Sequence, residues 1–303
     1  VNCPFCTDLR KRLAINYRYG MQDESGRRLK FLAVCYNETA CMDSEQNQQE
    51  LYERITSIAG DVSRLPLKPG KVIDTSNVVV ELPGACVPLQ DLDLSHPARQ
   101  YIDGRHFDSE RIGRFYRVSY CSQSRFDLAR NRIVIPVYDR NKLQGWQCRY
   151  IGELPWYDKE KRKGLPPKYW TMPHMQRRRL LYNFDNAKLY KTLVIVEGPM
   201  DVWGFGPMST CTFGATVTDL QFRRIVSSFR SRSVCLVFDP EAYESPAVVR
   251  AINLFRQQMR GRFASIVLPP GTDPGSLDRT FQRAYVKAEA AKQGVSVSWE
   301  KVS

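Results

Sequence analysis

Two short, unbroken apolar runs stand out in the second half of the chain, Leu193-Val194-Ile195-Val196 and Val234-Cys235-Leu236-Val237-Phe238. Runs of this length, rich in β-branched residues and flanked by helical patterning, read as parallel strands covered by helices on both faces. Between them, Met200 to Phe205 begins one helix, Ser209 to Phe213 reads as a strand, and Asp219 to Phe229 gives a second helix. Thr218 is its N-cap, and Gln221 completes a capping box. Ser245-Pro246 opens a further helix whose Val248, Ile252, Phe255 and Met259 share one face, before a last strand from Phe263 to Leu268. The pattern predicts an α/β fold, a parallel sheet with helices on both faces.

At the N-terminus the period shortens. Ile15 to Tyr19 and Leu29 to Val34 alternate as hairpin strands do, with Cys3-Pro4-Phe5-Cys6 before them and Cys35 and Cys41 after. A tetrahedral zinc site needs four soft or borderline ligands brought together by hairpins, and metal stabilises a domain too small for a full core. The segment therefore reads as a zinc ribbon with Cys3, Cys6, Cys35 and Cys41 as ligands. The second pair is spaced more widely than usual. A second reading stays open, in which Cys35 or Cys41 is a buried apolar residue and Cys86 or His96 supplies the missing ligand. Disulfides are not expected, because the nine cysteines are an odd number and Cys211 and Cys235 fall in predicted core strands. No apolar span approaches the ~20 residues of a membrane helix. No membrane partner is expected, and a reducing cytoplasm is the expected compartment.

Where the apolar runs end, acids begin. Glu197 follows the first run, Asp239 and Glu241 follow the second, and the turn after the last strand brings Asp273 towards the same edge. In open parallel sheets the carboxyl ends of the strands form the ligand crevice. Carboxylates gathered there repel one another unless a cation joins them. Oxygen-only ligation with no nearby histidine favours Mg²⁺ or Mn²⁺ over zinc, and such ions serve phosphoryl transfer. Acids at strand-to-helix turns also act as plain helix caps, and spacing by itself does not choose between the two.

The acidic segments carry a resemblance. Val196-Glu197-Gly198-Pro199-Met200-Asp201 followed by Val237-Phe238-Asp239-Pro240-Glu241-Ala242 resembles the Toprim signature shared by bacterial-type DNA primases, topoisomerases and some nucleases. The flanks resemble the primases. Pro97-Ala98-Arg99-Gln100-Tyr101-Ile102-Asp103-Gly104-Arg105 is similar to the segment that opens the primase core. Arg130 to Val137 is similar to its "R-x-R-hydrophobic-P" strand, and Gln147-Cys148-Arg149 to its "G-G-R" strand. Pro167-Lys168-Tyr169-Trp170, Leu181-Tyr182-Asn183-Phe184 and Thr272-Asp273-Pro274 continue the match in order, so the similarity runs over residues 96–278. Two departures are visible. Glu241 stands where the family usually has aspartate, and Gly275 and Ser276 follow Asp273-Pro274 where further acids are usual.

The resemblance implies a DNA primase that makes short RNA primers on a single-stranded DNA template from ribonucleoside triphosphates. Glu197, Asp239, Glu241 and Asp273 would hold the catalytic Mg²⁺ or Mn²⁺. Arg130, Arg149, Lys168 and Arg177 would line the template groove and nucleotide site, and the zinc ribbon would read the template. A replicative helicase is the implied partner, although the helical extension that binds it is not expected within this chain. Two alternatives remain: a Toprim nuclease or topoisomerase-like enzyme using the same carboxylates, and a primase-like single-strand-binding protein whose catalysis has weakened.

Composition agrees. The 303 residues carry a net charge of +13, with 43% hydrophobic content, enough for genuine cores. The charge is uneven, for Lys159, Lys161, Arg162, Lys163, Lys168, Arg177, Arg178 and Arg179 cluster with Trp156, Tyr157, Tyr169 and Trp170. Cations that track phosphates and rings that stack on bases suit a single strand. The expected organisation is a zinc ribbon over 1–60, a linker over 61–95, a mixed α/β basic subdomain over 96–189, the Toprim sheet over 190–278, and a C-terminal helix and tail over 279–303.

Overall fold

The computed structural model describes residues 1–6, 8–9, 11–22, 28–42, 44–59, 80–152, 167–269, 272 and 278–302. The chain forms two compact units, Val1–Val78 and Val79–Ser303.

In the first unit, β1 (Leu13–Gln22) and β2 (Arg28–Cys35) form an antiparallel hairpin. Helix α1 (Glu45–Ala59) follows. The hairpin register sets Leu13 opposite Cys35, and Val1 pairs with Leu13 through two backbone hydrogen bonds of 2.9 and 3.0 Å. The N-terminal knuckle is thereby held beside the end of β2. The apolar interior is small: Leu13, Met42 and Leu51 pack with the cysteines.

The second unit contains two sheets. Strands β3 (Gly84–Pro88), β4 (Ser119–Ser124), β5 (Arg132–Asp139), β6 (Lys142–Tyr150) and β7 (Tyr169–Thr171) form an antiparallel sheet in chain order. Helices α2 (Pro97–Asp103) and α3 (Ser109–Tyr116) join β3 to β4. The expected linker over 61–95 is therefore too long, since its last third contributes the edge strand β3. Its exposed, Gly- and Pro-containing sequence carries no strand periodicity strong enough to reveal it.

After the short helix α4 (Phe184–Ala187) comes the second sheet, which contains β8 (Thr192–Val196), β9 (Ser209–Cys211), β10 (Ser233–Leu236) and β11 (Phe263–Ser265). Their order is β11-β10-β8-β9, and all three pairings are parallel. Helices α5 (Pro199–Phe205), α6 (Asp219–Ser228) and α7 (Pro246–Met259) make the crossovers. Side chains alternate between the faces. Val194, Val196, Cys235 and Val237 enter one core, and Leu193, Ile195, Val234, Leu236 and Phe238 enter the other. That burial on both faces is why the strands read as unbroken apolar runs. The predicted face of α7 also packs: Val248, Ile252, Phe255 and Met259 lie in the second core.

Ile133, Ile135 and Val137 of β5 share the first core with Val194, Val196 and Trp203. The basic and Toprim segments thus fold on one interior. Helix α8 (Arg279–Lys292) packs Val286 and Ala290 into the same core, followed by Val295 and Val297. Among the described residues, no helix is long and apolar enough to cross a membrane. All nine cysteines are free thiols.

Candidate active site

The first site to assemble is the cysteine cluster. The Sγ atoms of Cys3, Cys6, Cys35 and Cys41 all lie within 4.8 Å of one another. Cys6 and Cys35 are 3.8 Å apart. Four sulfurs about 2.3 Å from a central zinc would be separated by about 3.8 Å, so the donor set fits tetrahedral zinc. Asn37 Nδ2 donates to Cys6 Sγ at 3.2 Å, and the Glu38 N–H donates to Cys35 Sγ at 3.4 Å. Burial raises the Cys35 thiol, but the backbone N–H groups of Glu38 and Asn37, together with the Cys3 and Cys6 side chains, outweigh it and hold this thiol below its ordinary value. The alternative ligands belong to the second unit and have partners there. Cys86 lies opposite Cys121 in the antiparallel sheet, and His96 caps α2, its Nδ1 accepting from the Ala98 N–H at 3.1 Å.

The second site is the carboxyl edge of the parallel sheet. Glu197 follows β8 and Asp239 follows β10, and the two strands are neighbours. Glu197 Oε1 accepts from the Asp239 backbone N–H at 3.1 Å, which ties the two strand ends together. Burial first, then the charge of Asp239 and that of Glu241, pushes the Glu197 carboxyl up to about 7, while the Asp239 N–H opposes the rise. A carboxylate raised by neighbouring acids and oxygen-only donors fits a divalent cation. Among the described residues, the cysteine cluster is the group of three or more candidate ligands close enough to hold an ion. Glu197, Asp239 and Glu241 share an edge and one another's field without closing to that distance. Asp273 lies outside the described residues.

The helix-cap reading of these acids does not hold. Helix α5 is capped by Gly198, whose N–H donates to Asp201 Oδ2 at 2.8 Å, and Asp239 makes no side-chain cap to the short 3-10 turn that follows it. Asp201, three residues after the cap, takes that role and leaves Glu197 directed at β10. Sequence reasoning quoted Asp201 without assigning it a role. It also passed over Tyr243, whose hydroxyl lies 3.2 Å from the Phe238 N–H and 2.6 Å from the Ile266 carbonyl and so pins the ends of β10 and the strand beyond it.

The predicted basic residues are divided in their surroundings. Arg130 is half-exposed, its Nε donating to the Ser124 carbonyl at 2.8 Å and its Nη1 lying 3.1 Å from Asp127. With Gly84, Ala85, Gln123 and Arg125 it lines an open cleft of about 560 Å³. Lys168 is exposed just before β7. Arg177 is exposed as well, with its backbone fixed by Gln221, which is fully buried and donates Nε2 to the carbonyls of Arg177 at 3.1 Å and Leu180 at 2.8 Å. Arg149 differs. It is only 6% exposed, and two of its donors are engaged by Tyr101.

Two of the expected stacking rings are also committed. Trp170 packs 5.3 Å from Trp146 and 5.6 Å from Phe126, while Tyr169, on the opposite side of β7, lies under the Arg149 guanidinium at 4.8 Å. Both are half-buried because β7 is paired to β6 and its alternate faces are covered. Trp156, Tyr157, Lys159, Lys161, Arg162 and Lys163 lie outside the described residues.

Acidic strand ends and a basic antiparallel sheet built on one core can be compared with solved folds. The chain has the fold of the primase catalytic core. It superposes on a DnaG primase catalytic domain bound to single-stranded DNA with a TM-score of 0.53 at 21% identity, covering 67% of this chain and 74% of that one. The Escherichia coli primase catalytic core gives 0.52 at 21% identity, covering 67% and 75%. In sequence, the chain is similar to the DNA primase of Staphylococcus aureus strain COL, 29% identical over 200 residues, and to that of strain MSSA476, 30% identical over 196 residues. Each alignment covers 60% of this chain and 30% of the primase, so the chain spans about a third of the length of these relatives. No family profile matches the chain.

Proposed function

We propose that this chain is a primase, a nucleotidyltransferase that makes short RNA primers on a single-stranded DNA template from ribonucleoside triphosphates. The observation that supports it best is the Glu197 to Asp239 contact at the carboxyl edge of a primase-type sheet, built on one core with the basic antiparallel sheet. The relatives named DNA primase and the likeness to a primase domain bound to single-stranded DNA support the same reading.

In this reading Glu197, Asp239 and Glu241, with Asp273, hold magnesium or manganese. When bound, such a cation neutralises triphosphate charge and lowers the pKa of the attacking 3′-hydroxyl. The chain's own residues do the rest. Asp201 fixes the Gly198 turn, so that Glu197 faces β10 with one oxygen anchored and the other left for a ligand. Arg130 and Lys168 guide phosphates at the surface, and Arg177 projects from a backbone locked by Gln221. Proximity of this kind lowers the entropic part of the barrier, and fixed cations offset charge that develops on the phosphates. Zinc on Cys3, Cys6, Cys35 and Cys41 orders the first unit, which reads the template.

Incubation of the full chain with single-stranded DNA, four ribonucleotides and Mn²⁺ tests this. Short RNA products support a primase. Cut DNA would point to a Toprim nuclease, and strand binding with no product to a primase-like protein that has lost catalysis.

A further inference from the structure

Arg149 presents a physical problem. A guanidinium 6% exposed on β6 is a buried cation, and buried cations are normally paired with a carboxylate. Among the described residues Arg149 has none. Its Nε and Nη2 both donate to the hydroxyl of Tyr101, at 2.8 and 2.5 Å. The guanidinium is 5.6 Å from the centroid of Tyr101, on the side of its hydroxyl, and 4.8 Å from that of Tyr169, the residue opposite it in the β6–β7 register. A neutral hydroxyl fixes the fork geometry of arginine without cancelling its charge. Stacking on ring faces does the same.

The arrangement also leaves donors unused. A hydroxyl that accepts twice still has one proton to give, and among the described residues neither the Tyr101 O–H nor Arg149 Nη1 has a further partner. The phenol of Tyr169 is pushed up by burial, pulled down by Arg149 and pushed up by Asp201, the acid that caps the turn after Glu197.

We propose that Tyr101 is a positioning residue: it holds the Arg149 guanidinium un-neutralised, so that Arg149 Nη1 and the Tyr101 O–H together receive a phosphate oxygen of an incoming nucleoside triphosphate. This rests on the proposed function for the identity of the ligand as a nucleotide, and on the structure for the donor pair. Tyr101 was legible in the sequence only as part of the segment opening the core, and nothing in its spacing linked it to β6.

The experiment uses the full chain with Tyr101→Phe, which keeps the ring and removes the hydroxyl, together with Arg149→Lys and the double variant. Three readouts are taken: the affinity for a fluorescent GTP analogue in the presence of Mn²⁺, the affinity for a labelled single-stranded oligonucleotide, and the melting temperature. Losing a hydrogen bond to a charged group predicts about a tenfold weaker nucleotide affinity for Tyr101→Phe, with KM raised and kcat little changed. Strand affinity should stay close to wild type, while the melting temperature should fall, because two donors of a buried guanidinium lose their acceptor. The double variant should lose less than the sum of the singles, because Tyr101 acts through Arg149. Unchanged nucleotide affinity in Tyr101→Phe overturns the proposal. So does a parallel fall in all three readouts, which would mark a structural role, or simple additivity in the double variant. Failure of the wild-type chain to bind the nucleotide overturns it too. Nucleotide binding that depends on Tyr101 in a chain that makes no RNA would instead remove the primase reading and leave this site standing.

Discussion

Replacing Glu197 with glutamine separates metal binding from folding, because the two respond with opposite sign. Burial, then Asp239 and Glu241, pushes Glu197 up to about 7 from an ordinary 4.5. In the unfolded chain the carboxyl ionises through the lower value, and in the fold through the higher one. Without metal, the fold therefore loses stability as pH rises from 4.5 to 7, and the loss is complete above 7. Each pH interval of one contributes at most about 1.4 kcal/mol. Over this window the limit is about 3 kcal/mol, which water at a half-buried edge reduces to roughly 1–2 kcal/mol. Glutamine keeps the shape and the acceptor for the Asp239 N–H and cannot ionise. In chelator at pH 8, Glu197→Gln should melt roughly 2–6 °C above wild type, with the difference vanishing near pH 4.5. Adding Mn²⁺ should stabilise wild type and leave the variant unmoved, and the variant should make no primers. Thermal melts across pH, with and without Mn²⁺, read all of this. A variant less stable than wild type at pH 8 in chelator, or stabilised by Mn²⁺ as much as wild type, would refute the reasoning.

Metal analysis should find about one zinc per chain, lost in Cys3→Ser along with the cooperative unfolding of the first unit; a metal-free first unit that still melts cooperatively contradicts this. Neutralising Lys168 or Arg130 should weaken single-strand binding and flatten the slope of log K against log salt by about 0.7 per lost contact, whereas Lys287 and Lys292 on α8 should matter little. Equal effects from the α8 lysines would mean that binding follows net charge. Gln221→Ala removes the buried amide that holds the carbonyls of Arg177, Leu180 and Thr212, and should cost about 2–4 kcal/mol in chemical denaturation. An unchanged denaturation midpoint would show that the backbone before α4 does not depend on it.

The parallel sheet was legible because β8 and β10 are buried on both faces and therefore carry apolar runs. The capping box at Thr218 and Gln221 was legible for a local reason: both partners lie within one helical turn, and the structure forms both bonds. The cysteine cluster was legible from its spacing and the hairpin between the pairs. What escaped the sequence depends on long-range pairing. Strand β3 is exposed over most of its length, so no periodicity marks it, and only its pairing with β4 makes it a strand. The sequence named Glu197 and Asp239, and did not show that Asp201 takes the cap and frees Glu197 to reach across the sheet. Arg149 read as a groove residue, yet its position on a paired central strand buries it against Tyr101 and Tyr169.

In the proposed function the acidic edge and the basic sheet together polymerise ribonucleotides on a template. The most direct measurement is a gel assay of the purified full chain on single-stranded DNA with labelled ribonucleotides and Mn²⁺, run beside Glu197→Gln. The account predicts short RNA products that depend on the template and on all four nucleotides, and that disappear in Glu197→Gln while strand binding persists. Products of equal yield from Glu197→Gln, or cut DNA with no RNA from wild type, would contradict it.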